Sequence, residues 1–415
     1  MSIHNIPGGV TAARGFKAAC CAAGIRYQGR TDMAMIYSPT PCRAAGVFTT
    51  NLVKAAPVVW DSCLAQAGGP VQAVVVNAGI ANAATGPDGL RLCEETAAFA
   101  GSTLGIPSGA VLLGSTGVIG PAIPLDRVTA GIAQMAGNLS DTLEAGTAAS
   151  RAIMTTDTVN KETAVAFELP AAQGEGAVTV RMGGMSKGSG MIHPNMSTML
   201  AYVTTDCAVD RGLMQKALSE VVKDTFNMIT VDGDTSTNDT LLLLANGEAG
   251  NRAITAEDDS YALFREALFT VCRTLAVKMA GDGEGATRLI ETRVTHCDTR
   301  ENARILARSV VGSSLVKAMV FGRDANCGRI LCALGYAGPV FDPAAIEVFL
   351  VGDGETVYFY REGRAQAFDE EKALAILSAD HVRFVCDMKT GSEEATAWGC
   401  DLTYDYVRIN GDYRS

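Results

Sequence analysis

No apolar run in the 415-residue chain is long enough to cross a membrane, because glycine, proline or polar residues break the longest ones. A spanning helix needs about 20 consecutive apolar residues. The first residues, MSIHNIPGGV, lack both the basic-then-apolar layout of a signal peptide and the arginine-rich character of a transit sequence. Clusters of Lys and Arg are also missing, so nucleic acid is not expected as a partner. The 12 cysteines include no CxxC pair, and Cys20 and Cys21 are adjacent. That spacing supports neither a zinc site nor a redox motif, and without an export signal the cysteines read as reduced thiols in a cytoplasm. Of the four histidines, only His193 lies near the residues singled out below.

What is present reads as a globular α/β protein. Hydrophobic residues make up 48% of the chain, ample for a buried core, and the length suggests two or three domains or one large fold. No repeat, low-complexity tract or linker stands out. Gln72–Asn77 is a valine-rich run suited to a buried strand that feeds a Gly/Ala/Asn loop. Arg211–Thr225 carries a helical apolar stripe of Leu213, Met214, Ala217, Leu218, Val221 and Val222, with Asp210 as N-cap. Asp259–Met279 predicts a second long helix, and Val348–Tyr360 predicts strands around a Gly-Asp-Gly turn. Charge is uneven. Residues 1–197 hold 12 basic and 12 acidic residues, so the net charge of −11 lies wholly in the remainder, which has 22 and 33.

The break in charge falls at the segment KGSGMIHPNMSTML, Lys187 to Leu200, and there the Ser197–Thr198 bond is of chemical interest. A threonine hydroxyl is a weak nucleophile without an adjacent base. Cleavage just before Thr198 would release an α-amine on the same residue. Its reference pKa is about 8, against about 10.4 for lysine, so near neutral pH it is the better general base than Lys187. Taken alone, the dipeptide reads as a plain loop-to-strand junction, because small–Thr dipeptides are common.

Other segments change that balance. In order, the chain reads GGVTAARGFKAA from Gly8, VFTTNLVKAAPV from Val47, VVVNAGIANAATG from Val74, GSTGVIG from Gly114 and IMTTDT from Ile153. Further on it reads ITVDGDTSTNDT from Ile229, ANGEAGN from Ala245, GDGEGAT from Gly281 and WGCDLTYDYVRIN from Trp398. This set, in this order and over nearly the whole chain, resembles the ornithine acetyltransferase (glutamate N-acetyltransferase) family of arginine biosynthesis. The resemblance implies an α/β/β/α layered sandwich akin to N-terminal-nucleophile hydrolases. It also implies self-cleavage into an α chain of residues 1–197 and a β chain of residues 198–415, intertwined in one fold. Two cleaved protomers would form a heterotetramer in the cytoplasm.

By the same resemblance Thr198 is the nucleophile, and Thr116 and Gly117 form the oxyanion hole. Substrate contacts fall to Thr155 or Thr156, Lys187, Thr198, Glu284, Asn410 and Ser415. Lys187 suits the α-carboxylate shared by N-acetylornithine and glutamate, and Glu284 suits the side-chain ammonium of ornithine. Asn410 and Ser415 require the C-terminus to fold back into the site. No metal or organic cofactor is implied, although some members also take acetyl-CoA as acetyl donor. Ser197 stands where alanine is commoner, and its own hydroxyl offers Met196–Ser197 as an alternative cut. Cys327 stands where a tryptophan is frequent.

Two other function classes remain open at this point. One is a self-cleaving amidase or aminopeptidase with water as acceptor, and the other is a non-catalytic scaffold. DGDTSTND places Asp232, Asp234 and Ser236 at calcium-loop spacing, but Thr237 replaces the turn glycine and Leu243 the final acid, so it is not an EF-hand. Gly183–Gly190 matches no nucleotide-binding glycine pattern.

Overall fold

The computed structural model describes residues 2–193, 199–352 and 354–412. Ser197, Thr198 and Ser415 therefore lie outside the described residues. Strands in chain order are β1 His4–Ile6, β2 Lys17–Cys21, β3 Met33–Phe48, β4 Val71–Ile80, β5 Val111–Val118, β6 Lys161–Pro170, β7 Ala177–Lys187, β8 Leu200–Thr205, β9 Ile229–Thr230 and β10 Thr240–Ala245. They continue as β11 Leu289–Cys297, β12 Glu347–Gly352, β13 Glu355–Arg361, β14 Arg364–Ala365, β15 His381–Asp387 and β16 Glu393–Cys400. Helices are α1 Ala56–Ala67, α2 Gly86–Leu104, α3 Leu125–Ala136, α4 Leu143–Ala152, α5 Arg211–Val221 and α6 Asp259–Gly281, then α7 Arg300–Gly312, α8 Ser314–Gly322, α9 Cys327–Gly335, α10 Glu370–Leu377 and α11 Tyr404–Gly411.

The chain folds into two compact units. The first takes in described residues 2–188, 199–223 and 235–275, so sequence from both sides of position 197 shares one core. Its strands run β1-β6-β7-β8-β10-β3-β4-β5, with β2 also on β3. The pairs β8/β10 and β4/β5 are parallel. Strand β3 joins two layers. Residues Met33–Tyr37 pair with β2 and β4, a register shift follows before Cys42, and Arg43–Phe48 pair with β10. Pro39 and Pro41 occupy that shift; neither has an N–H to give to a ladder, so the strand leaves one sheet for the other there.

Period-2 alternation then separates two cores. Ala34, Ile36, Val74, Val76 and Leu112 face Leu200, Tyr202, Leu242 and Leu244 between the sheet layers. Their neighbours Met33, Met35, Ala73, Val75 and Leu113 point the other way, onto Cys93, Ala97 and Ala100 of α2 and Val128, Ile132 and Met135 of α3. The far face of the second layer is covered by helices. Gln215 of α5 bonds the Gly46 backbone, and Leu275 of α6 packs beside Gly184 and Val203. The first unit is thus the expected α/β/β/α sandwich.

The second unit comprises described residues 189–193 and 224–234 together with those from 276 onward. Its sheet has the order β14-β13-β12-β15-β11-β16-β9. Helix α7 lies on β11 and β16 through the stripe Ala303, Leu306, Ala307, Val310 and Val311, all buried. Among the described residues no single helix is long and apolar enough to cross a membrane.

The expected elements are present. Asp210 caps α5 by accepting from the Gly212 and Leu213 N–H groups, and the buried residues of that helix are Met214, Ala217, Leu218 and Val221. The helix ends at Val221, and a 3-10 turn carries the chain on through Asp224. Leu242→Ala should cost about 3 kcal/mol, the usual loss for a buried leucine between packed layers. Leu52, almost fully exposed, should change stability by less than about 0.5 kcal/mol when truncated. Urea-melt midpoints of the two variants test the inter-sheet core, and equal midpoints would contradict it.

Candidate active site

Thr116 and Gly117 lie near the end of β5, where the parallel pairing with β4 becomes irregular around Gly79 and Ile80. Gly117 has φ +126°, and a methyl group on it would approach the carbonyl carbon of Gly79 to 2.2 Å. Only glycine fits, and the two backbones meet without side chains between them. Amide and hydroxyl side chains fix the neighbouring peptides. Ser115 Oγ donates to Asn77 Oδ1 (2.6 Å), and Asn77 Nδ2 donates to the Ile80 carbonyl (2.8 Å). Asn238 Nδ2 donates to the carbonyls of Ala81 (2.6 Å) and Ser115 (2.8 Å). The Ser115–Thr116 peptide is therefore held from both sides.

Lys187 is the last residue of β7 and is only 3% exposed, a strand-end cation rather than the solvated loop lysine its local sequence suggests. Its Nζ donates to Thr116 Oγ1 at 3.1 Å, which leaves the hydroxyl hydrogen of Thr116 available to another acceptor. Asp157 supplies a negative charge beside this lysine. Its Oδ2 is 4.0 Å from Lys187 Nζ, and its Oδ1 accepts from Lys161 Nζ (2.6 Å) and from the Gly188 N–H (2.7 Å). Burial alone would raise the Asp157 pKa, but the charges of Lys187 and Lys161 and these two bonds overcome it and hold it at about 2. Thr155 and Thr156, both half-buried, precede this residue. The Thr155 N–H donates to Asp157 Oδ2 (3.1 Å) and its carbonyl accepts from Arg30 (3.0 Å).

Asp239 occupies the same unit. It is fully buried, and its Oδ1 accepts from the Met199 N–H at 2.8 Å. Burial pushes its carboxyl well above the usual range, against the lowering pull of that N–H, the nearby Thr49 hydroxyl and the charge of Lys187.

Glu284 and Asn410 are brought together in the second unit. Glu284, 6% exposed, accepts from Asn410 Nδ2 of α11 at 2.7 Å, and its own N–H donates to the Ser189 carbonyl at 2.9 Å. A methyl on Gly190 would meet the Glu284 carboxylate at 2.4 Å. Helix α11 thus carries Asn410 back onto Glu284. Tyr406 of the same helix donates to Asp232 Oδ2 (3.3 Å), and burial together with Asp232, Glu284 and Asp234 pushes its phenol up. His193 bonds Thr230 Oγ1 through Nδ1 (3.1 Å), and burial and Arg308 hold its imidazole below the ordinary range, against Asp232 and Asp234.

Sequence reasoning missed Asp157, Lys161, Asn238 and Asp239. Asp157 and Lys161 have a signal in hindsight: opposite charges four apart beside the IMTT run. Asn238 and Asp239 stand in the stretch set aside as a failed calcium loop. Among the described residues no cluster of side chains suits a metal ion.

A buried cation bonded to a hydroxyl, beside a turn where only glycine fits, is an arrangement suited to negative charge that develops away from water, the kind that acyl transfer generates. The sequence pattern of the ArgJ family matches residues 17–415. The chain is 52% identical over 412 residues to arginine biosynthesis bifunctional protein ArgJ of Symbiobacterium thermophilum, covering 99% of each chain. To ArgJ 1 of Clostridium acetobutylicum it is 46% identical over 400 residues, 96% of each. The crystal structure of ArgJ from Bacillus halodurans is 44% identical and matches 51% of this chain and 97% of that one, with a TM-score of 0.48. The chain belongs to the ArgJ family.

A depressed carboxyl pKa adds stability above the unfolded value, and that stability is lost as pH falls through the folded one. For Asp157 the window runs from about 3.8 down to about 2, and the contribution is about 2 kcal/mol. Asp157→Asn removes a buried negative charge beside Lys161 and Lys187 and should cost about 3–5 kcal/mol at pH 7. Urea midpoints of wild type and variant should converge as pH drops from 5 towards 2. A gap independent of pH would show that the carboxylate charge is not what matters.

Proposed function

We propose that this protein is a self-processing acetyltransferase that moves the acetyl group of N2-acetyl-L-ornithine to L-glutamate in the cyclic route of arginine biosynthesis. The observation that carries the reading is the Lys187–Thr116 bond beside Gly117. It presents a hydroxyl hydrogen and an unobstructed backbone to an oxyanion, with a positive charge behind them. The names of the ArgJ relatives support the pathway.

Processing comes first. Thr198 Oγ attacks the Ser197 carbonyl, the acyl group moves from nitrogen to oxygen, and water opens the ester to leave a free α-amine on Thr198. In turnover that amine takes the Thr198 hydroxyl proton as Oγ attacks the acetyl carbonyl. Thr116 and Gly117 hold the tetrahedral oxyanion. The carbon–nitrogen bond then breaks, and the ammonium returns its proton to the departing ornithine amine. The amine of glutamate attacks the acetyl-threonine in turn, giving N-acetylglutamate and restoring the hydroxyl.

In the first unit, Lys187 and a threonine of the Thr155–Thr156 pair are the groups for the substrate α-carboxylate. In the second, Glu284 with Asn410 supplies a carboxylate suited to an ammonium, and Ser415 completes the substrate contacts. The chemistry uses no metal or organic cofactor, and acetyl-CoA is the second donor that a bifunctional family supports. The working particle is a cytoplasmic heterotetramer of two α (1–197) and two β (198–415) chains.

Intact mass spectrometry under denaturing conditions should give two fragments meeting at Ser197/Thr198 in the wild type and one uncut chain for Thr198→Ala. A split at Met196/Ser197 would move the nucleophile by one residue. Ornithine release should depend on glutamate, and equal release without it would make the protein a hydrolase. Thr116→Ala should lower kcat by about 10²- to 10³-fold, the usual effect of losing one oxyanion donor. An unchanged kcat would remove Thr116 from the oxyanion site.

A further inference from the structure

The loop of residues 22–32, which joins β2 to β3, is clamped at its base. Asp32, only 3% exposed, accepts from the Ala23 N–H through Oδ1 (2.7 Å) and from the Ile25 N–H through Oδ2 (2.6 Å). Its carbonyl accepts from the Ala78 N–H of β4 (2.8 Å), and Arg127 of α3 donates to the Gly24 carbonyl. Arg26 follows this clamped stretch. Its Cβ lies 3.1 Å from where a methyl on Gly79 would stand, and Gly79 is the residue whose backbone meets Gly117. Further along the loop, Arg30 donates to the carbonyls of Met154 (2.6 Å) and Thr155 (3.0 Å). The Thr155 N–H in turn binds Asp157, which lies beside Lys187, the cation bonded to Thr116. The loop thus reaches the Thr116–Gly117 turn by two routes, both inside the first unit.

Between Arg26 and Arg30 stands Tyr27, 42% exposed, with Arg26 Cζ 4.9 Å and Arg30 Cζ 6.0 Å from the centre of its ring. Each guanidinium is drawn to the negative face of the phenol, so one ring keeps two like charges together. Arg26 is half-buried and Arg30 exposed. Both bonds of Arg30 use Nη2 and end on carbonyls. A guanidinium has further N–H groups on Nη1 and Nε, set in a fork that matches a planar carboxylate. Two such groups on one ring make a shelf suited to an anion.

The two substrates of the proposed reaction end in opposite charges. The side chain of N-acetylornithine ends in an ammonium, for which Glu284 is suited. That of glutamate ends in a carboxylate, to which Glu284 presents a like charge. We propose that Arg26 and Arg30, on either side of Tyr27, form the subsite for the side-chain carboxylate of the acceptor glutamate. This rests on the function argued above. The transfer step itself is unaltered: the glutamate amine attacks the acetyl group, and the arginines touch an anion that the donor's side chain does not carry. In a ping-pong cycle ornithine leaves before glutamate enters, so the cationic shelf and the Glu284 carboxylate serve different half-reactions. Glutamine has the shape of glutamate without the charge. It forfeits the charge-assisted bonds, so the shelf selects an acidic acceptor over its neutral isostere.

The test is Arg26→Gln and Arg30→Gln beside the wild type, with the two half-reactions read separately. The first is the burst of ornithine released from N-acetylornithine without glutamate, and the second is N-acetylglutamate formed at varied glutamate. Each variant should keep the burst within about twofold of the wild type. The KM for glutamate should rise by about 10- to 100-fold, the range for losing a hydrogen bond to a charged group. With glutamine as acceptor, kcat/KM should change by less than about threefold, so the preference for glutamate over glutamine falls. Arg26→Lys keeps the charge and should bring the KM back towards the wild-type value. A glutamate KM unchanged in both Gln variants would overturn the subsite. So would an equal loss with glutamate and glutamine, or a burst reduced as much as the second half-reaction, since either makes the arginines supports of the loop. A defect confined to acetyl-CoA as donor would assign them to a phosphate-bearing ligand instead. Should one Gln variant fail to fold, the other decides; failure of both makes the arginines structural and overturns the proposal. A wild type that forms no N-acetylglutamate defeats the function itself, and the subsite with it.

Discussion

Lys161 and Lys187 carry two positive charges into surroundings nearly free of water, and Asp157 makes both tolerable. An isolated buried ammonium would shed its proton or unfold its surroundings. Here one carboxylate sits between the two, takes Lys161 at 2.6 Å and leaves Lys187 at 4.0 Å. The three side chains together carry one unit of positive charge, and it is Lys187 that reaches Thr116. The same carboxylate binds the Gly188 and Thr155 N–H groups. One side chain thereby fixes the end of β7, the start of β6 and the loop before it. Low dielectric, which makes the arrangement expensive, also strengthens the pull of that charge on any negative charge nearby.

The fold delivers that charge to β5 through strand order. β7 belongs to one sheet layer and β5 to the other, and β3 is the strand that continues from layer to layer. The core between the layers is closed by Tyr202, Leu200, Leu242 and Leu244 against Val74, Val76 and Leu112. Because β7 and β8 pair as neighbours across positions 194–198, residues from both sides of the proposed cut share one sheet. A break there removes a connection but none of the β7/β8 ladder.

Patterns set by local physics were legible in the sequence. Asp210 and the stripe Met214, Ala217, Leu218 and Val221 follow helical periodicity and capping, which a chain segment expresses on its own. The valine run of β4 and the glycines of GSTGVIG were legible for the same reason. Glu284 and Asn410 lie 126 residues apart; family resemblance named each as a substrate contact, and the bond between them was not foreseen. Asp157 was passed over although it directly follows the two threonines named for substrate. Asn238 and Asp239 were seen only as part of an unsuccessful calcium-loop match. Their roles come from what lies opposite them: the Ser115 carbonyl at 2.8 Å and the Met199 N–H at 2.8 Å.

By itself the sequence determined the membership of the chain in its family, the α/β class, and the cap and stripe of α5. Each depends on residue order, which a chain carries before it folds. Only the tertiary structure decided that Lys187 is buried rather than solvated, that it bonds Thr116, and that Asp239 holds the residue 199 N–H. Burial and the identity of a partner are properties of the surroundings, and in this protein those surroundings are assembled from strands tens to more than a hundred residues apart.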